Sequence, residues 1–112
     1  MKKIEAIIRT GKVAEVYAAL ERVGHPGVMI TELEGHGTQK GVEQTVRGKT
    51  YKIGLMNKAR LEVVVKDADV ANIVAAIREA ALTGKVGDGK IFIYPVENAI
   101  RIRTNEEGDI AL

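Results

Sequence analysis

The chain has 112 residues, enough for one domain with a real core, and 46% of them are hydrophobic. Seventeen basic and fifteen acidic residues leave a net charge of +2, too even for the basic stripe of a nucleic-acid binder, and the lack of Trp with a single Phe offers no base-stacking platform. Cysteine is absent, which removes disulfides, thiolate metal sites and a cysteine nucleophile together, and His25 and His36 are too few and too far apart for a zinc motif.

In chain order, Lys3–Arg9 alternates, with Ile4, Ala6 and Ile8 on one side and Glu5, Ile7 and Arg9 on the other, the pattern of a strand. Charges at Glu5 and Arg9 interrupt the apolar run, so the start does not read as a signal peptide. No segment is long and apolar enough to span a bilayer, and a soluble cytoplasmic protein is expected. Thr10 can cap a helix whose buried positions are Val13, Val16, Tyr17, Leu20 and Val23, with Gly24 as its stop. After the turn His25-Pro26-Gly27, Val28–Glu34 is a second strand.

Gly37 to about Leu55 is polar, glycine-spiked and without clear period. Connections this long in a compact domain are commonly functional or disordered. An arm that docks on a partner is one reading and a tolerated loop the other; Tyr51, an aromatic near the tip, favours the arm. Ala59–Lys66 alternates again, Asp67 can cap, and Val70, Ile73, Val74, Ile77 and Ala81 mark a second helix.

Thr83 to Phe92 then places Gly84, Gly87 and Gly89 within six residues, beside Lys85 and Lys90. Exposed backbone N–H groups beside an ammonium suit a phosphate. Gly84-x-x-x-x-Gly89-Lys90 fits most of a Walker A pattern, but Ile91 stands where Ser or Thr is required, and a helix precedes the loop where a strand should. A phosphate loop of another kind and a ligand-free helix-to-strand turn remain as alternatives. Ile91–Val96 is the fourth strand. In the tail, Arg101 and Arg103 fall on one side of an extended segment, a second phosphate-suited pair or a charged edge.

A shift of 57 positions lays the first half on the second: Ile4 meets Leu61, Glu5 meets Glu62, Thr10 meets Asp67, and Val13-Ala14 meets Val70-Ala71. Two interleaved βαβ units give an α+β, ferredoxin-like βαββαβ sandwich with both helices on one sheet face. The other face, with Ile7 and Val64, is apolar enough to call for oligomerisation, unless the tail covers it.

The chain resembles the PII nitrogen-regulatory signal transducers over its whole length, as a single domain, residues 1–112. The most specific piece is Thr83-x-x-x-Gly87-Asp88-Gly89-Lys90-Ile91-Phe92-Ile93, similar to the family's B-loop (about 82–90). The start Met1-Lys2-Lys3-Ile4-Glu5-Ala6-Ile7-Ile8, then Gln39-Lys40-Gly41, Arg47-Gly48, Tyr51, Lys58 and the ending Ala99-Ile100-Arg101-Ile102-Arg103-Thr104 also match. The resemblance implies a homotrimer that binds ATP or ADP between subunits. Ile7, Gly35, Gly37, Thr38, Glu62, Val64, Gly87, Asp88, Gly89 and Lys90 would contact the nucleotide, and Arg101 and Arg103 of the tail (about 99–112) would reach it from the next subunit. It implies 2-oxoglutarate held by Gln39, Lys40, Gly41 and Lys58 beside Mg²⁺, which Gln39 helps ligate. The insertion, about 37–55, corresponds to the T-loop that grips ammonium transporters, enzymes or regulators of nitrogen metabolism. Arg47 matches a partner-binding arginine, and Tyr51 the tyrosine uridylylated or adenylylated in some lineages.

Direct nucleic-acid binding is not implied, and a membrane would be met only through a transporter. Thr38 stands where many members have arginine, Met29 replaces a frequent threonine, and Val46 and Lys49 depart from the usual residues before Tyr51. No catalytic constellation is present. A divergent nucleotide sensor serving another pathway, or a weak phosphoryl-transfer enzyme using His25 or His36, are the alternatives.

Overall fold

The computed structural model describes residues 1–25, 27–36, 43–46, 49–52 and 55–112. The elements run β1 (Lys2–Arg9), α1 (Val13–Arg22), β2 (Met29–His36), β3 (Glu43–Val46), β4 (Lys49–Lys52), β5 (Leu55–Val65), α2 (Val70–Ala81) and β6 (Lys90–Pro95). β2, β5, β1 and β6 lie in that order in an antiparallel sheet, which is the ferredoxin-like order of two interleaved βαβ units.

The alternation in β1 and β5 produces the core directly. Ile4, Ala6 and Ile8 of β1 and Ala59, Leu61, Val63 and Val65 of β5 are buried. They meet Val16, Ala19 and Leu20 of α1 and Ile73, Ile77 and Ala81 of α2. Val23, expected in the helix stripe, is exposed, because the helix has ended before it. The end is a Schellman motif: Gly24 at φ 85 donates to the Glu21 carbonyl at 3.0 Å, and His25 donates to that of Leu20 at 2.9 Å. Among the described residues no helix is long and apolar enough to cross a membrane.

The repeat shows in the backbone at the start of both helices. A 3₁₀ turn precedes each helix at equivalent positions, Thr10–Lys12 and Asp67–Asp69. Glu5 is both the repeat counterpart of Glu62 and its direct cross-strand partner, so an internal twofold passes between them. Neither Thr10 nor Asp67 acts as the expected side-chain cap. In each turn the residue's carbonyl accepts from the N–H three positions on, which replaces the cap. The Thr10 hydroxyl is buried without a partner among the described residues, and the Asp67 carboxylate lies 2.8 Å from the Met1 ammonium.

The halves differ in one connection. Met29 in β2 and Phe92 in β6 are counterparts, since they lie opposite Glu62 and Glu5. They are 63 positions apart, against 57 for the strand and helix before them, so the second half carries six added residues: α2 has 12 residues to the 10 of α1, and the rest fall between its end and Phe92.

The long insertion is not structureless throughout. β2 and β5 continue their ladder to the pair His36 and Leu55, and β3 and β4 form a hairpin in which Glu43 stands opposite Lys52 and Gln44 opposite Tyr51. β-branched and aromatic residues at Thr45, Val46, Thr50 and Tyr51, with opposite charges in register, favour those strands. On the helix-free face, Met29, Phe92 and Tyr94 are exposed, so the tail does not cover it.

Candidate functional site

The added loop is shaped from inside by Asp88. One carboxylate oxygen accepts from the backbone N–H groups of Thr83 and Gly84, both at 2.9 Å. The other accepts from the Thr83 hydroxyl and, at 3.3 Å, from Arg9 Nε. The Thr83 hydroxyl oxygen in turn accepts from the Lys85 N–H at 3.1 Å. Hydrogen bonds from the Thr83 side chain and backbone, then from Gly84 and Arg9, hold the Asp88 carboxyl well below the usual carboxylate range. Asp88, expected among the nucleotide contacts, therefore spends its charge on the loop itself.

Gly84, Gly87 and Gly89 all have positive φ, at 84°, 103° and 102°. At Gly89 a side chain is also excluded by space, since a Cβ would stand 1.7 Å from the Ile7 carbonyl oxygen. The loop thus lies directly on the end of β1, where Ile7 faces Lys90. Among the described residues no acceptor meets the N–H groups of Gly87 and Gly89. Free amides in a glycine loop with a cation at its end are the donor set an anion needs. An apolar cavity of about 280 Å³ lies beneath, lined by Ile7, Ile77, Leu82, Gly89 and Lys90 among others.

Two cations hold the loop from the sheet. Arg9 Nη2 donates to the Val86 carbonyl at 2.8 Å, and the Lys58 ammonium donates to that of Gly87. Arg9 and Lys58 are directly opposite in the β1–β5 register. Partial burial, then the Arg9 charge, push Lys58 below its ordinary value of 10.5, while Asp88 works the other way. Lys58 also borders a cavity of about 350 Å³ with Thr10, Glu32, Leu33 and Asn57.

Several of the expected site residues share this sheet face. Ile7, Lys58, Glu62, Val64 and Lys90 lie on the helix-free side, and Arg60 Nε approaches Glu62 Oε1 at 3.2 Å. Gly35 is on β2 opposite Met56, and Tyr51 is on β4. Gly37, Thr38, Gln39, Lys40, Gly41 and Arg47 lie outside the described residues.

The tail departs from its expected form. It is not extended: 102–104 is a turn, Ile100 bridges to Glu107, and Asn105 has φ 62. The alternation that put Arg101 and Arg103 side by side therefore does not apply. Arg101 instead donates to Glu106 at 2.9 Å and to the Ile110 carbonyl at 3.0 Å. Its own tail folds back far enough to hold the guanidinium, and neither arginine lines the cavity under the glycine loop.

Arg9 is the residue sequence reasoning missed. Its strand position was legible, but only the fold brings it to a loop 77 residues away.

A ferredoxin-like α+β domain with an elongated, internally braced glycine loop at the end of its central strand is the class of protein these features define. The chain belongs to the P-II family: the family model for "Nitrogen regulatory protein P-II" matches residues 1–106. It is similar to proteins of that name from Rhodospirillum rubrum, 48% identical, and Haemophilus influenzae, 50% identical, each over the full length of both chains. It is 47% identical to "Nitrogen regulatory protein P-II 2" of Methanothermobacter thermautotrophicus, over all of this chain and 97% of that one. These relatives are named as regulatory proteins, not as enzymes.

Proposed function

We propose that the protein is a homotrimeric P-II signal transducer that binds ATP or ADP in clefts between subunits and 2-oxoglutarate with Mg²⁺ beside the triphosphate. The observation that carries this reading is the glycine loop, whose Gly87 and Gly89 N–H groups meet no acceptor among the described residues while its carboxylate and carbonyls are turned to Arg9, Lys58 and its own backbone. A phosphate fits such a cradle, and the absence of a Cβ at Gly89 allows close approach. The exposed Met29, Phe92 and Tyr94 on the helix-free face give the trimer its contact surface.

In this reading Ile7, Gly35, Glu62 and Val64 surround the adenine, with Gly37 and Thr38 near the nucleotide. Lys90 adds charge at the phosphates, and Arg101 and Arg103 arrive from the neighbouring subunit. Arg101 then exchanges or shares Glu106, its partner within the tail. Lys58 would pair the far carboxylate of 2-oxoglutarate, with Gln39, Lys40 and Gly41 completing the site, and Gln39 would help hold Mg²⁺, whose charge would offset the repulsion between neighbouring anions.

The connection 37–55 acts as the T-loop, with Arg47 and Tyr51 as its partner-facing and modifiable residues. Its target is an ammonium transporter or an enzyme or regulator of nitrogen metabolism. Each ligand acts through its differential affinity for T-loop shapes. The protein works in the cytoplasm and meets a membrane only through a transporter.

Calorimetry with ATP, ADP and 2-oxoglutarate, alone and in pairs with Mg²⁺, tests the reading. ATP should bind alone, and 2-oxoglutarate only with Mg-ATP. Equal 2-oxoglutarate binding without nucleotide removes the mechanism, and a monomer with no adenylate affinity removes the whole assignment.

A further inference from the structure

Arg9 and Lys58 set which way the peptide units of the glycine loop face. A trans peptide unit is planar, and its carbonyl and N–H point in opposite directions. The Val86 carbonyl and the Gly87 N–H belong to one such unit, and the Gly87 carbonyl and the Asp88 N–H to the next. Arg9 Nη2 holds the first carbonyl against the sheet at 2.8 Å, and the Lys58 ammonium holds the second. Each bond turns the N–H across its plane away from the sheet.

Two cations directly opposite on neighbouring strands repel. Here they converge on three acceptors of one loop: the carbonyls of Val86 and Gly87, and the Asp88 carboxylate, which Arg9 Nε meets at 3.3 Å. The planar guanidinium reaches two of the three at once from a fixed fork, which a lysine ammonium does not reproduce. The loop is thus anchored at the Val86 and Gly87 carbonyls, and the Gly87 N–H, unmet among the described residues, faces the opposite way.

We propose that Arg9 is a positioning residue that presets the glycine loop for an anion, by holding the Val86 carbonyl inward so that the Gly87 N–H faces outward. Arg9 touches no ligand in this scheme; it acts through Val86 and Asp88. The anion's identity as a nucleotide phosphate rests on the function proposed above, but the preset orientation does not.

The experiment pairs Arg9→Lys with the control Lys12→Gln, whose ammonium meets Glu15 at 3.3 Å and lies away from the loop. Amide ¹⁵N relaxation on the full-length protein without ligand reads the preset directly. In the native protein the Gly87 N–H should be as ordered as the rigid backbone, with an order parameter of about 0.85, and in Arg9→Lys it should fall below about 0.6 while β1 and β6 stay rigid. Calorimetry should then show ATP binding weakened about tenfold in Arg9→Lys and unchanged in Lys12→Gln, the size expected for one lost charge-assisted hydrogen bond.

An equally ordered Gly87 in Arg9→Lys overturns the proposal, and so does disorder spreading evenly through β1 and β6, which would mark a merely structural arginine. If the native protein binds no ATP, the nucleotide reading fails, and the Gly87 order still decides the role of Arg9. Should Arg9→Lys not fold, Arg9→Gln takes the same two measurements.

Discussion

Replacing Gly89 by alanine tests the seat of the loop on β1. The new Cβ would stand 1.7 Å from the Ile7 carbonyl oxygen and 2.8 Å from its carbon, at a residue with φ 102°. Both partners are backbone, so no side chain can rotate aside, and the Ile7–Lys90 end of the β1–β6 ladder has to open. The strained φ costs about 1–3 kcal/mol and the forced shift of packed backbone about as much, so the sum is roughly 2–6 kcal/mol. That is a large share of the ~5–15 kcal/mol that holds a domain folded. At about 4 °C per kcal/mol it lowers the thermal midpoint by on the order of 8–24 °C. Gly84→Ala separates the two terms, because Gly84 has φ 84° but nothing within 4 Å of its would-be Cβ. Only the backbone term applies there, and the midpoint should fall by about 4–12 °C, roughly half as far. Scanning calorimetry of both variants decides the matter; midpoints within about 2 °C of each other would refute the close-approach reasoning.

Asp88→Asn should lower the thermal midpoint at neutral pH, since it weakens the bonds from Thr83, Gly84 and Arg9. Because the folded carboxyl titrates below its ordinary 3.8, the native advantage is present in full above that value and lost as pH falls below it, so native and variant midpoints followed from pH 7 downward should converge only there. Ile77→Ala removes a side chain that is 1% exposed and should cost about 2–5 kcal/mol in urea titration, whereas Ile110→Ala, 65% exposed, should stay within about 0.5 kcal/mol. Asn105→Val, at φ 62°, should cost about 1–2 kcal/mol by the same titration and Asn105→Gly almost nothing; equal losses would show that the tail turn is not held in the left-handed region.

What the sequence disclosed was whatever has a period. Ile4, Ala6 and Ile8 alternate because one sheet face is buried, and the same demand repeats at Leu61, Val63 and Val65, so both central strands were legible. The glycine loop was legible because positive φ and close approach select glycine. The β3–β4 hairpin was not: four-residue strands leave too short a stretch for alternation to register, and Thr45, Val46, Thr50 and Tyr51 speak only through propensity. The tail misled because alternation at Arg101 and Arg103 presupposes an extended chain, and the Arg101–Glu106 pair with the left-handed Asn105 folds it back. The caps misled because a 3₁₀ turn supplies from the backbone what Thr10 and Asp67 were expected to supply from side chains.

The internal twofold also bears on why the chain has a single glycine loop of this kind. A duplicated βαβ unit creates two helix-to-strand connections at symmetric ends of the sheet, and only the second is lengthened into the glycine loop. Its clamp comes from the other half: Arg9 closes the first strand, yet interleaving sets that strand beside β6, under the second half's loop. The counterpart of Arg9 is Lys66, which is exposed, and a clamp there would need a matching loop after α1. That connection instead closes in the short turn at Gly24 and His25, whose N–H groups are already given to Glu21 and Leu20. Duplication therefore supplied the scaffold twice, while the loop with free amides and a cation able to orient them coincide at one end of the sheet alone.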